Sequence, residues 1–183
     1  MKETDLEKLR YPIGKYNNPE KYEEAKIREW ILILENFPKR LESLVKNLSD
    51  HHLDTRYRPE GWTIRQVIHH LADSHHHSYI RFKWALTEDK PVIKYYYEKL
   101  WAELTDAKTA PIELSLNHLK AVHAKLVFLL KSLNKDELHK SFIHPEYNEE
   151  VTLWKNIGIY AWHCDHHYAH IENVMKLNGW EIH

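Results

Sequence analysis

The sequence has little of what holds small or many-turned proteins together. It carries one cysteine, Cys164, in 183 residues, so no disulfide can close within the chain, which fits a reducing, cytoplasmic setting. Glycine and proline number 4 and 7, about 6% of the chain against roughly 12% on average. So few turn formers argue against a many-stranded sandwich or barrel and favour long helices. The formal net charge is −1 and the isoelectric point is near 7.0, so the basic field that draws a protein to nucleic acid is missing. No apolar run approaches the roughly 18 residues a membrane helix needs. The opening stretch, Met1 to Arg10, is charged throughout and has no apolar signal region. What remains is 29% charged and 43% hydrophobic, in a length that suits one domain, 1–183, with a core of its own. The excess is in histidine, with 16 residues, and these cluster.

Four amphipathic helices are predicted. Residues 1–18, with Pro12, Gly14 and Asn17-Asn18, read as an irregular N-terminal arm. Asn18-Pro19-Glu20 reads as a helix start, with a capping side chain, proline at the first position and acid in the first turn. That helix runs to about Leu48, and Pro38 should kink it. A second opens at the capping box Thr63-Ile-Arg-Gln66, stapled by Trp62 and Val67, and runs to about residue 87. Pro111 opens a third, whose Leu119, Val122, Leu126 and Leu130 keep helical spacing. The fourth begins after Thr152 and ends at Asn178-Gly179, with glycine in the usual cap position. The connections 88–110 and 134–151 are long, and loops of that length usually carry function. A faint repeat relates Leu48…Leu53…Tyr57-x-Pro59-Glu60 to Leu133…Leu138…Phe142…Pro145-Glu146, each preceding a helix that opens at threonine and bears a histidine cluster. Two helix pairs related in this way form a four-helix bundle, a common frame for metal sites.

The first cluster is His69-His70-Leu-Ala-Asp-Ser-His75-His76-His77 and the second His163-Cys-Asp-His166-His167-Tyr-Ala-His170. Two imidazoles on one helix face the same way when four residues apart, and neutral imidazole is a ligand for zinc and its neighbours. The second cluster offers His163/His167 and His166/His170. On a helical wheel His167 lies at the edge of the apolar stripe and His163 just beyond it, so this pair can face the bundle while staying in reach of water. His166 lies farthest from the stripe. The metalloprotease helix motif needs Glu after the first His, and Cys164 stands there instead. Cys164 itself reads as a small core residue. On the second helix periodicity nominates His75, in mid-stripe, over His70 on its flank, while His69 and His76 face outward. Asp73 and Asp165 could orient a ligand ring, and Tyr97 and Trp101 could wall a pocket above a metal. Arg65, Lys83 and Lys94 read as solvated charges.

The stretch Gly61-Trp62-Thr-Ile-Arg-Gln-Val-Ile-His69-His70-Leu71-Ala72-Asp73-Ser74-His75, taken with Trp162-His163-x3-His167-x2-His170-Ile171, resembles the DinB/YfiT-like family of metal-dependent hydrolases. Tyr11-Pro12-Ile13-Gly14 and Asp106 to Ala110 also resemble its YfiT branch. The resemblance implies an all-α four-helix bundle holding one divalent metal ion on His70, His163 and His167, with His75 as fallback. It implies a hydrolase acting on a small molecule or, as in some members, a transferase joining a low-molecular-weight thiol such as bacillithiol to an electrophile. It also implies a homodimer. A non-catalytic metal-binding or dimerisation module is a further alternative. Where Tyr97 stands, close relatives have an acid, which removes an acid/base candidate. Imidazole ligation suits Zn²⁺ first and Ni²⁺ next, and three protein ligands leave positions open to water.

Overall fold

The computed structural model describes residues 3–146 and 148–180, so the ends of the 1–183 span lie outside the described residues. Four long helices form the frame: α2 (Glu24–Val45), α4 (Ile64–Thr87), α7 (Ile112–Ser132) and α9 (Leu153–Leu177). Short helices join and flank them: α1 (Glu3–Arg10), α3 (Asp50–Leu53), α5 (Glu98–Trp101), α6 (Thr105–Thr109) and α8 (Lys135–His139). A hairpin of β1 (Ser141–His144) and β2 (Glu149–Thr152) pairs Phe142 with Val151. The long helices pack in the order α2, α7, α4, α9 and back to α2. Helices consecutive in sequence, α2 and α4, therefore stand diagonally, as do α7 and α9. Leu34, Phe37 and Leu41 of α2 meet Ile68 and Leu71 of α4, Leu126 of α7 and Ile157 of α9 in one fully buried core.

The boundaries of α4 follow from the sequence. The Thr63 hydroxyl accepts from the Gln66 N–H at 3.2 Å, and the Gln66 side-chain oxygen accepts from the Thr63 N–H at 2.9 Å. At the far end of α9, Gly179 takes φ of +68°, the left-handed turn that ends helices on glycine.

Two expectations for the frame are corrected. The arm is not irregular throughout, because residues 3–10 hold no helix breaker and form α1. The first long helix starts at Glu24, not at Pro19. Proline holds Asn18 extended, and packing keeps the following segment so: Tyr22 stands edge-on to Trp154 at 6.1 Å and against His139 at 5.1 Å. The connections 49–61, 88–110 and 134–151 hold short helices and the hairpin.

The faint repeat has a structural counterpart. Ser49 opens α3 and Asn134 opens α8, each with a reciprocal capping box. The first N–H of the next long helix then reaches back to a carbonyl just past each short helix, Ile64 to Thr55, two places on, at 3.1 Å and Leu153 to Lys140, one place on, at 2.8 Å.

Candidate metal centre

Three imidazoles converge where α4 meets α9. His70 Nε2 lies 3.2 Å from His163 Nε2, and one nitrogen of each of His70, His163 and His167 falls within 4.8 Å of the others. Consecutive turns of α9 present His163 and His167, whose ring centroids are 4.5 Å apart, while His70 faces His167 at 5.0 Å. Two nitrogens each about 2.0–2.1 Å from a tetrahedral zinc ion are separated by about 3.3 Å, so the spacing of His70 and His163 fits such an ion. Burial holds the His70 pKa down at about 3 and those of His163 and His167 well below the ordinary histidine value, with neighbouring imidazoles adding to the shift. All three rings are neutral at pH 7 and offer lone pairs without first losing a proton.

Two other groups have the composition of a metal site, His75 with His123 and Cys164, and His166 with His167 and His170. The nitrogens of His75, His123 and His170 are otherwise engaged, whereas His166 Nδ1 is buried with no partner among the described residues. His75 Nε2 lies 3.1 Å from His163 Nδ1 and its Nδ1 lies 2.9 Å from His123 Nε2. His123 Nδ1 lies 2.6 Å from the Leu34 carbonyl. Burial pushes the Cys164 thiol well up, away from the thiolate a metal needs. His170 Nδ1 lies 3.3 Å from His167 Nδ1 and its Nε2 lies 3.1 Å from the Arg10 carbonyl. In the first group the Nε2 atoms of His70 and His163 face one another, and His70 and His167 border a cavity whose lining does not include His163. That cavity, of about 340 Å³, is lined by His70, His166, His167 and His170, by Tyr57 and Trp62, and by Arg10, Arg58, Glu60, Glu98 and Lys99.

The structure thus brings His70, His163 and His167 together, and places the fallback His75 behind His163 rather than in the cluster. It corrects other expectations. Tyr97 and Trp101 are absent from the cavity lining: Tyr97 meets Tyr95 at 5.2 Å, and Trp101 packs on Tyr96 and His77. α5 turns them away and supplies Glu98 and Lys99 instead. Asp73 sits half-buried, and desolvation, with the Asp106 charge adding to it, raises its pKa to about 6, while Asp165 pairs with Arg40 at 2.9 Å. The rings are braced by one another rather than by carboxylates. Arg65 is buried, bonded to Asp50, Asp54 and the Ala110 carbonyl. His69 is buried too, 2.7 Å from the Ser115 hydroxyl, because α6 and α7 cover that side of α4. His166, farthest from the apolar stripe, is buried against Trp162 at 4.3 Å and Tyr11 at 5.9 Å, since the N-terminal arm covers the outer face of α9. Trp62 is more than a staple, because its ring stands 4.7 Å from that of His70. Sequence reasoning missed His123, whose signal is its place on the α7 stripe, four residues after Leu119 and three before Leu126.

Comparison with known proteins agrees with this architecture. The profile of the DinB superfamily matches residues 33–171. A Bacillus subtilis protein provisionally named metal-dependent hydrolase YfiT is 45% identical over 172 residues, covering 94% of this chain and 97% of its own. A similarly named protein from Oceanobacillus iheyensis is 47% identical over 171 residues, covering 93% and 98%. The solved structure of YfiT from Bacillus subtilis, described as a probable metal-dependent hydrolase with an unusual four-helix bundle topology, superposes with a TM-score of 0.93 over 95% of this chain and 99% of that one. On sequence and fold alike, the chain belongs to the DinB superfamily.

Proposed function

We propose that the protein is a metal-dependent hydrolase whose divalent ion is held by His70, His163 and His167. The observation that carries this reading is the convergence of three neutral imidazoles, two of them (His70 and His167) in the wall of an open cavity, with the His70 and His163 nitrogens 3.2 Å apart. The names of the relatives, metal-dependent hydrolases, agree with it. Zn²⁺ is the first choice and Ni²⁺ the second, since imidazole suits both. Bound by three protein ligands, such an ion supplies an acidified water and a Lewis acid for a carbonyl. The chain's own residues do the rest. Trp62 packs against the His70 ring at 4.7 Å, and Tyr57 stacks on His170 at 4.0 Å. Arg10, Arg58 and Lys99 stand around the cavity with Glu60 and Glu98, a setting for a small polar substrate bearing an anionic group.

The test is elemental analysis of purified protein, followed by assays on ester and amide panels. About one ion per chain is expected, with loss of both ion and turnover in His163→Ala. A parallel assay with a low-molecular-weight thiol and an electrophile separates hydrolysis from thiol transfer. Wild-type protein devoid of ion, or turnover retained after chelation, would overturn the reading.

A further inference from the structure

Behind the three rings lie two chains of histidines, and each ends on a backbone carbonyl that its own helix leaves unpaired. In the first, His163 leads to His75, His75 to His123, and His123 to the Leu34 carbonyl, at 3.1, 2.9 and 2.6 Å. Within α2 that carbonyl would accept from the N–H four residues on. That residue is Pro38, inside the helix, and proline has no N–H. In the second, His167 leads to His170 and His170 to the Arg10 carbonyl, at 3.3 and 3.1 Å. Arg10 is the last residue of α1, where helix carbonyls lack partners.

A carbonyl can only accept, and that fixes every proton upstream. The Leu34 oxygen requires a proton on His123 Nδ1, which leaves His123 Nε2 to accept from His75 Nδ1–H. His75 Nε2 then accepts from His163 Nδ1–H. In the same way the Arg10 oxygen requires His170 Nε2–H, so His170 Nδ1 accepts from His167 Nδ1–H. The two candidate ligands on α9, His163 and His167, are left with the proton on Nδ1 and the lone pair on Nε2. For His163 that is the nitrogen facing His70. We infer that His75, His123 and His170 are positioning residues which set the tautomer of His163 and His167 and present their Nε2 lone pairs to the ion. No proton is gained or lost; each ring holds one, and the carbonyls decide where. The three are among the most buried polar residues, at 0%, 1% and 3% exposure, so bulk water has little access to their rings. The sequence analysis offered Asp73 and Asp165 for this role; imidazoles fill it.

The inference rests on the three-histidine reading of the site, but its first test needs no metal. Long-range ¹H–¹⁵N spectra of the metal-free wild-type protein should show His163 and His167 as Nδ1–H tautomers; Nε2–H rings at both positions would overturn it. In His123→Leu, which cuts the first chain at its carbonyl, the His163 ring should populate both tautomers while His167 stays as it was; His170→Leu should do the reverse. Zn²⁺ affinity, measured by chelator competition, should weaken by about 10- to 100-fold in either variant, the usual effect of losing such a partner. His123→Gln keeps an acceptor and a donor in the order His75 and Leu34 need, and should recover most of the loss. Leucine variants that fold, keep both tautomers and bind Zn²⁺ as the wild type does would sink the proposal, as would a glutamine variant no better than leucine. Should either leucine variant fail to fold, the wild-type spectrum and the glutamine variant still decide. Wild-type protein that binds no Zn²⁺ would instead remove the site reading while leaving the tautomers as measured.

Discussion

Gly158, in the middle of α9, shows how one missing side chain sets the outer layer of the molecule. A Cβ there would meet the Trp30 ring at 2.8 and 2.9 Å and overlap the Tyr16 hydroxyl. The hydrogen at this position is what lets the N-terminal arm and α2 close on α9, with Tyr16 buried deeply enough that its phenol pKa rises to about 12. Gly158→Ala gains about 1 kcal/mol of helix propensity but forces an indole and a phenol to move, at about 1–3 kcal/mol. A net loss of about 1 kcal/mol is expected by urea unfolding. In a Trp30→Ala background the loss should shrink, because only the Tyr16 hydroxyl is then overlapped, which separates overlap from any intrinsic effect. At this scale legibility followed periodicity. Spacing of four nominated His163 and His167 for the site wall, while the wheel favoured His75 over His70 because it sees only which face is apolar. A ring on the flank of α4 can meet α9 when that flank borders the neighbouring helix, and periodicity does not say where the neighbour stands. His166 and His69 were misread for the converse reason, since the arm and α7 bury faces that are polar in sequence.

At the scale of elements, the two helices that open at threonine are not equivalent. Thr63 makes both bonds of its capping box, and Gln66 also donates to the buried Ala102 carbonyl at 2.6 Å. Thr152 makes no side-chain cap bond, and its hydroxyl is buried without a partner among the described residues. There β2 runs directly into α9, and the Leu153 N–H is satisfied by Lys140. Thr63→Ala should therefore cost about 1 kcal/mol. Thr152→Ala should stay within about 0.5 kcal/mol, because it discards an unsatisfied hydroxyl rather than a bond. Thermal melts of the two variants side by side check this, and equal losses would refute it. The capping box, the α7 stripe and the glycine stop of α9 were legible because they are local. The start of α2 and the hairpin were not, since Tyr22 against Trp154 and Val92 bridged to Ile143 are contacts between segments distant in sequence.

For the whole molecule, the diagonal placement of α2 with α4 and of α7 with α9 was beyond the sequence, because an apolar stripe tells a helix to bury a face without naming the neighbour. That arrangement has an electrostatic consequence. It gathers His70, His75, His123, His163, His167 and His170 into the interior, and burial lowers the pKa of each. The unfolded chain takes up protons at these positions below about pH 6.5, whereas the folded chain does not until far lower pH. Stability is thus full above pH 6.5 and falls as the pH drops below it, by linkage. Between pH 7 and 5.5 each such histidine contributes a loss of about 1 kcal/mol. Six together approach the whole stability of an ordinary domain, about 5–15 kcal/mol. The metal-free protein should therefore unfold cooperatively at a pH near 5, well above the range where carboxylates alone would drive it. Far-UV circular dichroism across pH 7 to 4 measures the midpoint. His123→Gln, which keeps the hydrogen bonds and removes one of the titrating rings, should move that midpoint to lower pH. Zn²⁺ in excess should do the same on the three-histidine reading, because protons must then displace the ion before the rings can charge. A midpoint below pH 4 in the metal-free chain would mean that the buried rings take up protons without unfolding it.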